Sequence, residues 1–212
     1  MNDLLDGYRA LLADGDLSCT VSDALGRAGG LSAAFRPLTP GARLAGWAVT
    51  ARTFGTDLSA VFGAIEAAEP GCVVVIATGG SANSAFWGER TTRAAQGRGV
   101  IGAVIDGAAR DLGALARLGF PVFGTGAVPN AGLPGGRGAV NVPVALGGQP
   151  VSPGDLIVAD ENGVVVVPGD QAQTVLARVR ELLAAEEALF ARTAEAADLQ
   201  PAGGPTEGEA QS

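Results

Sequence analysis

Apolar residues follow two rhythms along this chain. Short, bounded runs such as Cys72-Val73-Val74-Val75-Ile76 and Val100-Ile101-Gly102-Ala103-Val104-Ile105 predict strands buried on both faces. Residues 43–53 alternate enough to predict another strand, with Leu44, Ala45, Trp47 and Val49 as its apolar positions. Between the strands, residues 4–13, 57–68, 88–97 and 111–118 predict helices. Glu69-Pro70-Gly71 stops the second of these, and Thr20-Val21-Ser22-Asp23 offers caps ahead of Ala24. A short strand is expected at 121–123. From about residue 129 the rhythm changes: Gly- and Pro-rich turns lead to short strands near 140–146, 156–159 and 163–167. A long helix then runs from about Asp170 to Thr193, its apolar positions including Val175, Val179, Leu182, Leu183 and Leu189. The switch from β-α alternation to closely spaced strands predicts a mixed α/β sandwich rather than a doubly wound sheet. Residues 1–198 form one domain in this reading, and the polar stretch Leu199 to Ser212 is a disordered tail.

Composition removes whole classes of chemistry. The 212 residues include no Lys and no His, so a Schiff-base lysine, a Ser-His-Asp triad and a His-rich zinc site are all excluded. All 14 cationic side chains are Arg, suited to bidentate recognition of carboxylate or phosphate. Acid–base chemistry is left to carboxylates, Tyr8, the cysteines or water on a metal. The net charge of −8 argues against nucleic acid as a partner. No apolar stretch is long enough to span a membrane, and the N-terminus lacks the features of a signal peptide. Cys19 and Cys72 make no disulfide framework, and Cys72 opens a strand as a small hydrophobe. A cytoplasmic location is expected.

The candidate chemistry lies where apolar runs meet charge. The run ending at Ile105 gives way to Asp106-Gly107-Ala108-Ala109-Arg110-Asp111, at the strand end where open α/β sheets place ligands. Two carboxylates and a guanidinium there could hold a divalent cation beside an anionic substrate. They could equally form a turn and a helix cap, with Asp106 in the turn and Asp111 in the first helical turn. Ala77-Thr78-Gly79-Gly80-Ser81-Ala82-Asn83 could converge its amides on an anion or merely turn the chain. Phe86-Trp87-Gly88-Glu89 places a carboxylate at a helix start, close to the same sheet edge, with Trp87 as a packing residue. Arg110 could bind a substrate carboxylate or a developing enolate oxygen, or pair with Asp106 or Asp111.

These segments resemble the RraA-like family. The resemblance rests on Thr20–Gly26, Leu44–Thr50, Trp87-Gly88-Glu89, the Asp106–Asp111 block, Gly119–Phe123, Val151–Asp155 and Ala159–Pro168, within roughly residues 18 to 190. The family contains 4-hydroxy-4-methyl-2-oxoglutarate aldolases and the regulator of ribonuclease E activity. It implies a single-domain β/β/α sandwich with a long C-terminal helix, assembled as a homotrimer or hexamer with sites between subunits. It further implies that Asp111 holds a divalent cation, Mg²⁺ or Mn²⁺, and that Arg110 binds the pyruvyl group. Glu89, where the aldolases commonly carry Asp, would orient water at the metal. Backbone amides from Gly88 through Glu89, Arg90 and Thr91 would contact the substrate carboxylate. A glutamate from a neighbouring subunit's C-terminal region completes the family's site, and Glu186 or Glu187 matches it.

The expected function is a metal-dependent aldolase that releases pyruvate from a small 2-oxo acid, with oxaloacetate decarboxylation as a side activity. The absence of Lys accords with a metal rather than a Schiff base. The alternative is a non-catalytic regulator that binds an RNA-degradation enzyme, for which the acidic surface is a generic fit. A methyltransferase is disfavoured, because no glycine-rich nucleotide loop is present to hold S-adenosylmethionine. Substrate selection is expected from Pro129 to Gly138, with Arg137 as a second carboxylate contact.

Overall fold

A computed structural model describes residues 2–198; the stretch 199–212, read above as a tail, lies outside the described residues. In chain order the elements are α1 (Asn2–Asp14), α2 (Ser18–Ala24), β1 (Arg36–Pro37), β2 (Leu44–Arg52), α3 (Ser59–Ala67), β3 (Cys72–Trp87), α4 (Glu89–Gly97) and β4 (Gly102–Ala109). They continue with α5 (Leu112–Arg117), β5 (Val122–Ala127), β6 (Ala139–Val140), β7 (Val144–Leu146), β8 (Gln149–Val151), β9 (Leu156–Asp160), β10 (Gly163–Val167) and α6 (Ala172–Asp198). The main sheet has the order β1-β5-β4-β3-β2-β9-β10, with β6 also on β2. It is mixed: β2, β3, β4 and β5 run parallel, while β1, β6, β9 and β10 pair antiparallel.

The continuous apolar runs are explained by layers on both sides of this sheet. Alternate residues of a strand face opposite ways. Val74 and Ile76 accordingly pack with Val61 and Ala64 of α3 and Leu115 of α5. Val73 and Val75 pack on the other face with Val144, Leu146 and Val151 of the small β7–β8 hairpin. At the β9–β10 edge, α1, α2 and α6 close a third cluster around Tyr8, Leu156 and Val179. Each fully buried Val or Leu contributes about 1.5–3 kcal/mol. Tyr8 is spent here: its hydroxyl donates to the Ala172 carbonyl at 2.8 Å, and burial pushes its pKa far up. Cys72 is buried as expected, and burial raises its thiol pKa.

Several boundaries differ from expectation, each for a local reason. The glycine segment 77–83 does not form an anion-binding turn. It belongs to β3, which runs on to Trp87 through irregular register against β4. The Gly80 amide is already taken, donating to Asp106 Oδ2 at 2.9 Å. Asp106 is itself a strand residue rather than a turn residue, since β4 continues to Ala109. The strand expected at 140–146 divides into β6 and β7, and β8 pairs with β7. Finally, α2 begins at Ser18, earlier than the Thr20–Asp23 caps suggested. Its first amides are satisfied from a distance: Leu17 and Ser18 N–H donate to Asp160 Oδ2 at 2.8 and 2.7 Å. The Ser18 hydroxyl donates to Asp160 Oδ1 at 2.7 Å, and Asn162 N–H donates there at 2.9 Å.

Asp160 is fully buried with no cationic partner among the described residues, so its hydrogen-bond donors offset desolvation. Burial pushes its pKa upward, but the Ser18 and Asn162 donors outweigh it and hold the group below its ordinary value. A carboxyl depressed in the folded state adds stability above its unfolded pKa, and that stability is lost as pH falls through the folded value. Asp160→Asn is expected to cost about 3 kcal/mol in urea denaturation at pH 7. The gap between variant and parent should narrow below pH 4.

Candidate active site

β3 and β4 are parallel neighbours that end opposite each other, with Trp87 paired to Ala109. The next residues, Gly88-Glu89 and Arg110-Asp111, therefore leave the sheet side by side at its carboxyl edge. Arg110 N–H donates to the Trp87 carbonyl at 2.9 Å, extending the pairing one step. Trp87 itself is buried, stacked on Phe120 at 5.7 Å and donating to Thr92 Oγ1 at 2.7 Å. It is a packing residue, as expected.

Asp111 precedes α5 with φ +56°, in the left-handed region. Asp and Asn tolerate this conformation better than other non-glycine residues. The turn directs the carboxylate toward the start of α4, where Glu89 N–H donates to Asp111 Oδ2 at 3.1 Å. Gly88 makes the approach possible. A Cβ there would stand 2.8 Å from Asp111 Oδ2 and 3.0 Å from Arg110 Cγ. Its backbone is extended and suits any residue, so the requirement is space alone. Thr91 closes the helix start, its hydroxyl accepting the Gly88 N–H and donating to the Gly88 carbonyl, both at 2.8 Å. Among the described residues, the Arg90 and Thr91 amides donate to no protein acceptor. They lie at the positive, N-terminal end of α4, the kind of helix end that binds anions.

Arg110 Nε lies 3.5 Å from Asp111 Oδ2, with both side chains about two-fifths exposed (42% and 41%). A pair this open is worth little, and the Nη groups of Arg110 have no carboxylate partner among the described residues. The Glu89 carboxylate is engaged differently from expectation. It accepts from Arg93 Nε and Nη2 at 2.9 and 2.7 Å, so its backbone rather than its side chain meets Asp111. Glu186 and Glu187 are exposed on α6, which packs with α1 and α2. Within one chain neither is brought to Arg110.

A pocket of about 100 Å³ opens beside this edge. Trp87, Gly88, Arg90, Thr91 and Arg110 form one side, Leu58 and Phe62 the floor, and Ala131–Pro134 the far wall. Asp111 lines an adjoining hollow with Arg110 and Pro129. A larger hollow, about 510 Å³, carries Asp155 and Asp170 and no cation in its lining, so it does not suit an anionic substrate.

Sequence reasoning missed Asp57, which fixes the far wall. Its Oδ1 accepts from Ser59 and Gly135 N–H at 2.8 and 2.9 Å, and its Oδ2 from Arg137 N–H at 2.9 Å. The Gly135 and Ser59 donors hold this carboxyl well below the usual carboxylate range. A Cβ at Gly132 would overlap the Thr56 carbonyl oxygen, so the wall closes tightly on the Asp57 turn. The sequence signal was an acidic residue just ahead of a helix, which reads as an ordinary cap. Arg137 contributes its amide to this latch, while its side chain is exposed and does not line the pocket.

The donor set bears on a metal. Among the described residues no three Asp, Glu or Cys side chains cluster. Asp111 offers one exposed carboxylate with Oδ1 unpaired. This fits a cation that keeps most of its water, as Mg²⁺ does, and does not fit one caged by protein.

The RraA-like family model, described as Aldolase/RraA, matches residues 18–166. The chain belongs to the RraA-like family. A Halalkalibacterium halodurans relative, provisionally named 4-hydroxy-4-methyl-2-oxoglutarate aldolase, is 38% identical over 79% of this chain and 80% of its own. A Thermus thermophilus protein with that aldolase name is 34% identical, over 60% of this chain and 77% of its own. A solved Streptomyces coelicolor structure, described as an unusual member of the RNase ES inhibitor RraA family, superposes with TM-score 0.75. It is 30% identical and covers 91% of this chain and 96% of its own. The mixed sheet and C-terminal helix are therefore those of RraA-like proteins, and the family includes both aldolase and inhibitor names.

The latch has a measurable consequence. In a chain without Lys, trypsin cuts only after Arg, and Arg137 sits in the tethered loop. Asp57→Ala is expected to speed tryptic cleavage after Arg137 by about tenfold or more, read by intact mass, while cleavage after Arg178 serves as the internal control.

Proposed function

We propose that this protein is a divalent-metal-dependent lyase that cleaves a 4-hydroxy-2-oxo acid to release pyruvate. The observation that carries the reading is Arg110, unpaired at its Nη groups, beside the exposed Asp111 carboxylate and the open amides of α4. In this reading the Arg90 and Thr91 amides bind the substrate's C1 carboxylate. Arg110 reaches the 2-oxo oxygen and stabilises the negative charge that develops there. Asp111 would hold the cation, Mg²⁺ or Mn²⁺, which when bound supplies electrophilic pull on the same 2-oxo group.

Cleavage breaks the C3–C4 bond, and its electron pair flows to the 2-oxo group, leaving the enolate of pyruvate. The C4 hydroxyl loses its proton as that carbon becomes a carbonyl, and the enolate later gains a proton at C3. Glu89, once turned from Arg93, and Glu186 of a neighbouring copy are the carboxylates assigned to these transfers. A homotrimer or hexamer would bring that Glu186 to the site. Oxaloacetate loses CO₂ through the same enolate, so its decarboxylation is expected as a side activity.

Pyruvate release from 4-hydroxy-4-methyl-2-oxoglutarate, followed by coupled lactate dehydrogenase, tests the reading. Activity should vanish in excess EDTA and return with Mg²⁺ or Mn²⁺. Arg110→Ala should lower kcat by about 10²–10³-fold, and Asp111→Ala should abolish metal-dependent activity. Undiminished turnover in chelator would overturn the proposal. The rival reading, a protein-binding inhibitor of RNA degradation, draws support from the Streptomyces coelicolor structure's description and predicts no turnover of any 2-oxo acid.

A further inference from the structure

The pocket has a second cation that the reaction above leaves unused. Arg90 follows Glu89 on the first turn of α4, and its guanidinium carbon lies 5.5 Å from the centre of the Phe62 ring. This cation–π contact rests the side chain on the apolar floor and limits the rotamers it can sample. No carboxylate holds it: the residues three and four positions on are Arg93 and Ala94, and no ion pair involves Arg90 among the described residues. The neighbouring acid, Glu89, is paired with Arg93, and the Asp111 carboxylate lies beside Arg110 instead.

The pocket is thus lined by two arginines, Arg90 and Arg110, and by no acidic side chain. In a chain of net charge −8, two cations line one hollow, with the Asp111 carboxylate outside that lining beside Arg110, so the hollow itself favours an anion. Between them the surface is apolar, from Leu58, Phe62 and Phe86 to Leu133 and Pro134. A matching ligand has an anion at each end and a short carbon chain between. Arg137, the residue that the sequence offered for a second carboxylate, is outside this lining.

We propose that the Arg90 side chain, positioned by Phe62, is the specificity residue that binds the distal carboxylate of a dicarboxylic 2-oxo acid. The inference rests on the pyruvyl-site reading of Arg110 and adds a second anchor. It assigns Arg90 a binding role only, with no part in bond cleavage.

The test uses two ligands of equal chain length that cannot undergo retro-aldol cleavage: 2-oxoglutarate, with a distal carboxylate, and 2-oxovalerate, with a methyl in its place. Binding is measured by titration calorimetry on the full chain with Mg²⁺. The parent should prefer 2-oxoglutarate by about tenfold or more. Arg90→Gln should remove that preference by weakening 2-oxoglutarate alone, leaving 2-oxovalerate within about twofold. Arg90→Lys should keep part of it, since the charge remains but the planar fork is lost. Phe62→Leu should weaken it by a smaller factor. Arg90 is exposed, so its variants are expected to fold, which thermal melting checks. Equal losses for both ligands, an unchanged preference in Arg90→Gln, or no binding of either ligand by the parent would each overturn the proposal. Selective loss of 2-oxoglutarate without any pyruvate-releasing activity would support the Arg90 assignment while sinking the aldolase reading. Pyruvate release with unchanged selectivity in Arg90→Gln would do the reverse.

Discussion

Where β3 and β4 leave the sheet, two backbones and a carboxylate converge on a space that admits no side chain at Gly88. The pairing of Trp87 with Ala109 sets the two exits opposite each other, and the left-handed turn at Asp111 swings its carboxylate across the gap. Once the Glu89 amide has captured Asp111 Oδ2, the remaining groups have little freedom. Arg110 must lie alongside, and α4 must start with its amides toward the same opening. A bulkier residue at 88 would separate carboxylate, guanidinium and helix end in one move. Backbone preference restricts the other side too, since Asp111 holds a conformation that Asp, Asn and Gly share but branched residues do not.

Charge is distributed with similar economy. The molecule is strongly acidic, yet its potential metal-holding carboxylate is a single side chain supported by one backbone donor. Other acids are consumed in holding backbone: Asp57 ties down a loop, Asp106 braces the glycine bulge of β3, and Asp160 caps α2 from the end of β9. Each satisfies amides that would otherwise be orphaned, and none pairs with Arg. At the pocket, among the described residues, Arg90 has no carboxylate partner and Arg110 meets one only through its Nε, at Asp111.

Much of this was legible in the chain. The apolar runs at 72–76 and 100–105 located the central strands because both faces of the sheet are buried, which leaves no polar interruption. The Asp106–Asp111 block and Gly88-Glu89 were readable because abrupt charge after a buried strand marks a sheet's carboxyl edge. What escaped was contact between distant segments. Nothing near Ser18 shows that Asp160 will cap it, and nothing near Asp57 shows that Gly135 and Arg137 will donate to it. The glycines at 79 and 80 read as a turn because paired glycines after a strand permit one; both do take positive φ, yet pairing with β4 carries the strand past them. The direction of the Glu89 carboxylate was likewise decided by Arg93, one turn along, rather than by the sheet edge.

The far wall of the pocket is fastened almost entirely through main chain: the amides of Gly135 and Arg137 on Asp57, and the close approach of Gly132 to Thr56. Such a fastening is indifferent to the side chains at 131, 133, 134 and 137, provided that the glycines stay. The protein therefore has a fixed reactive edge facing an exchangeable panel. Divergence into new substrates can proceed by replacing the panel's side chains, one at a time, without disturbing the geometry that performs the chemistry.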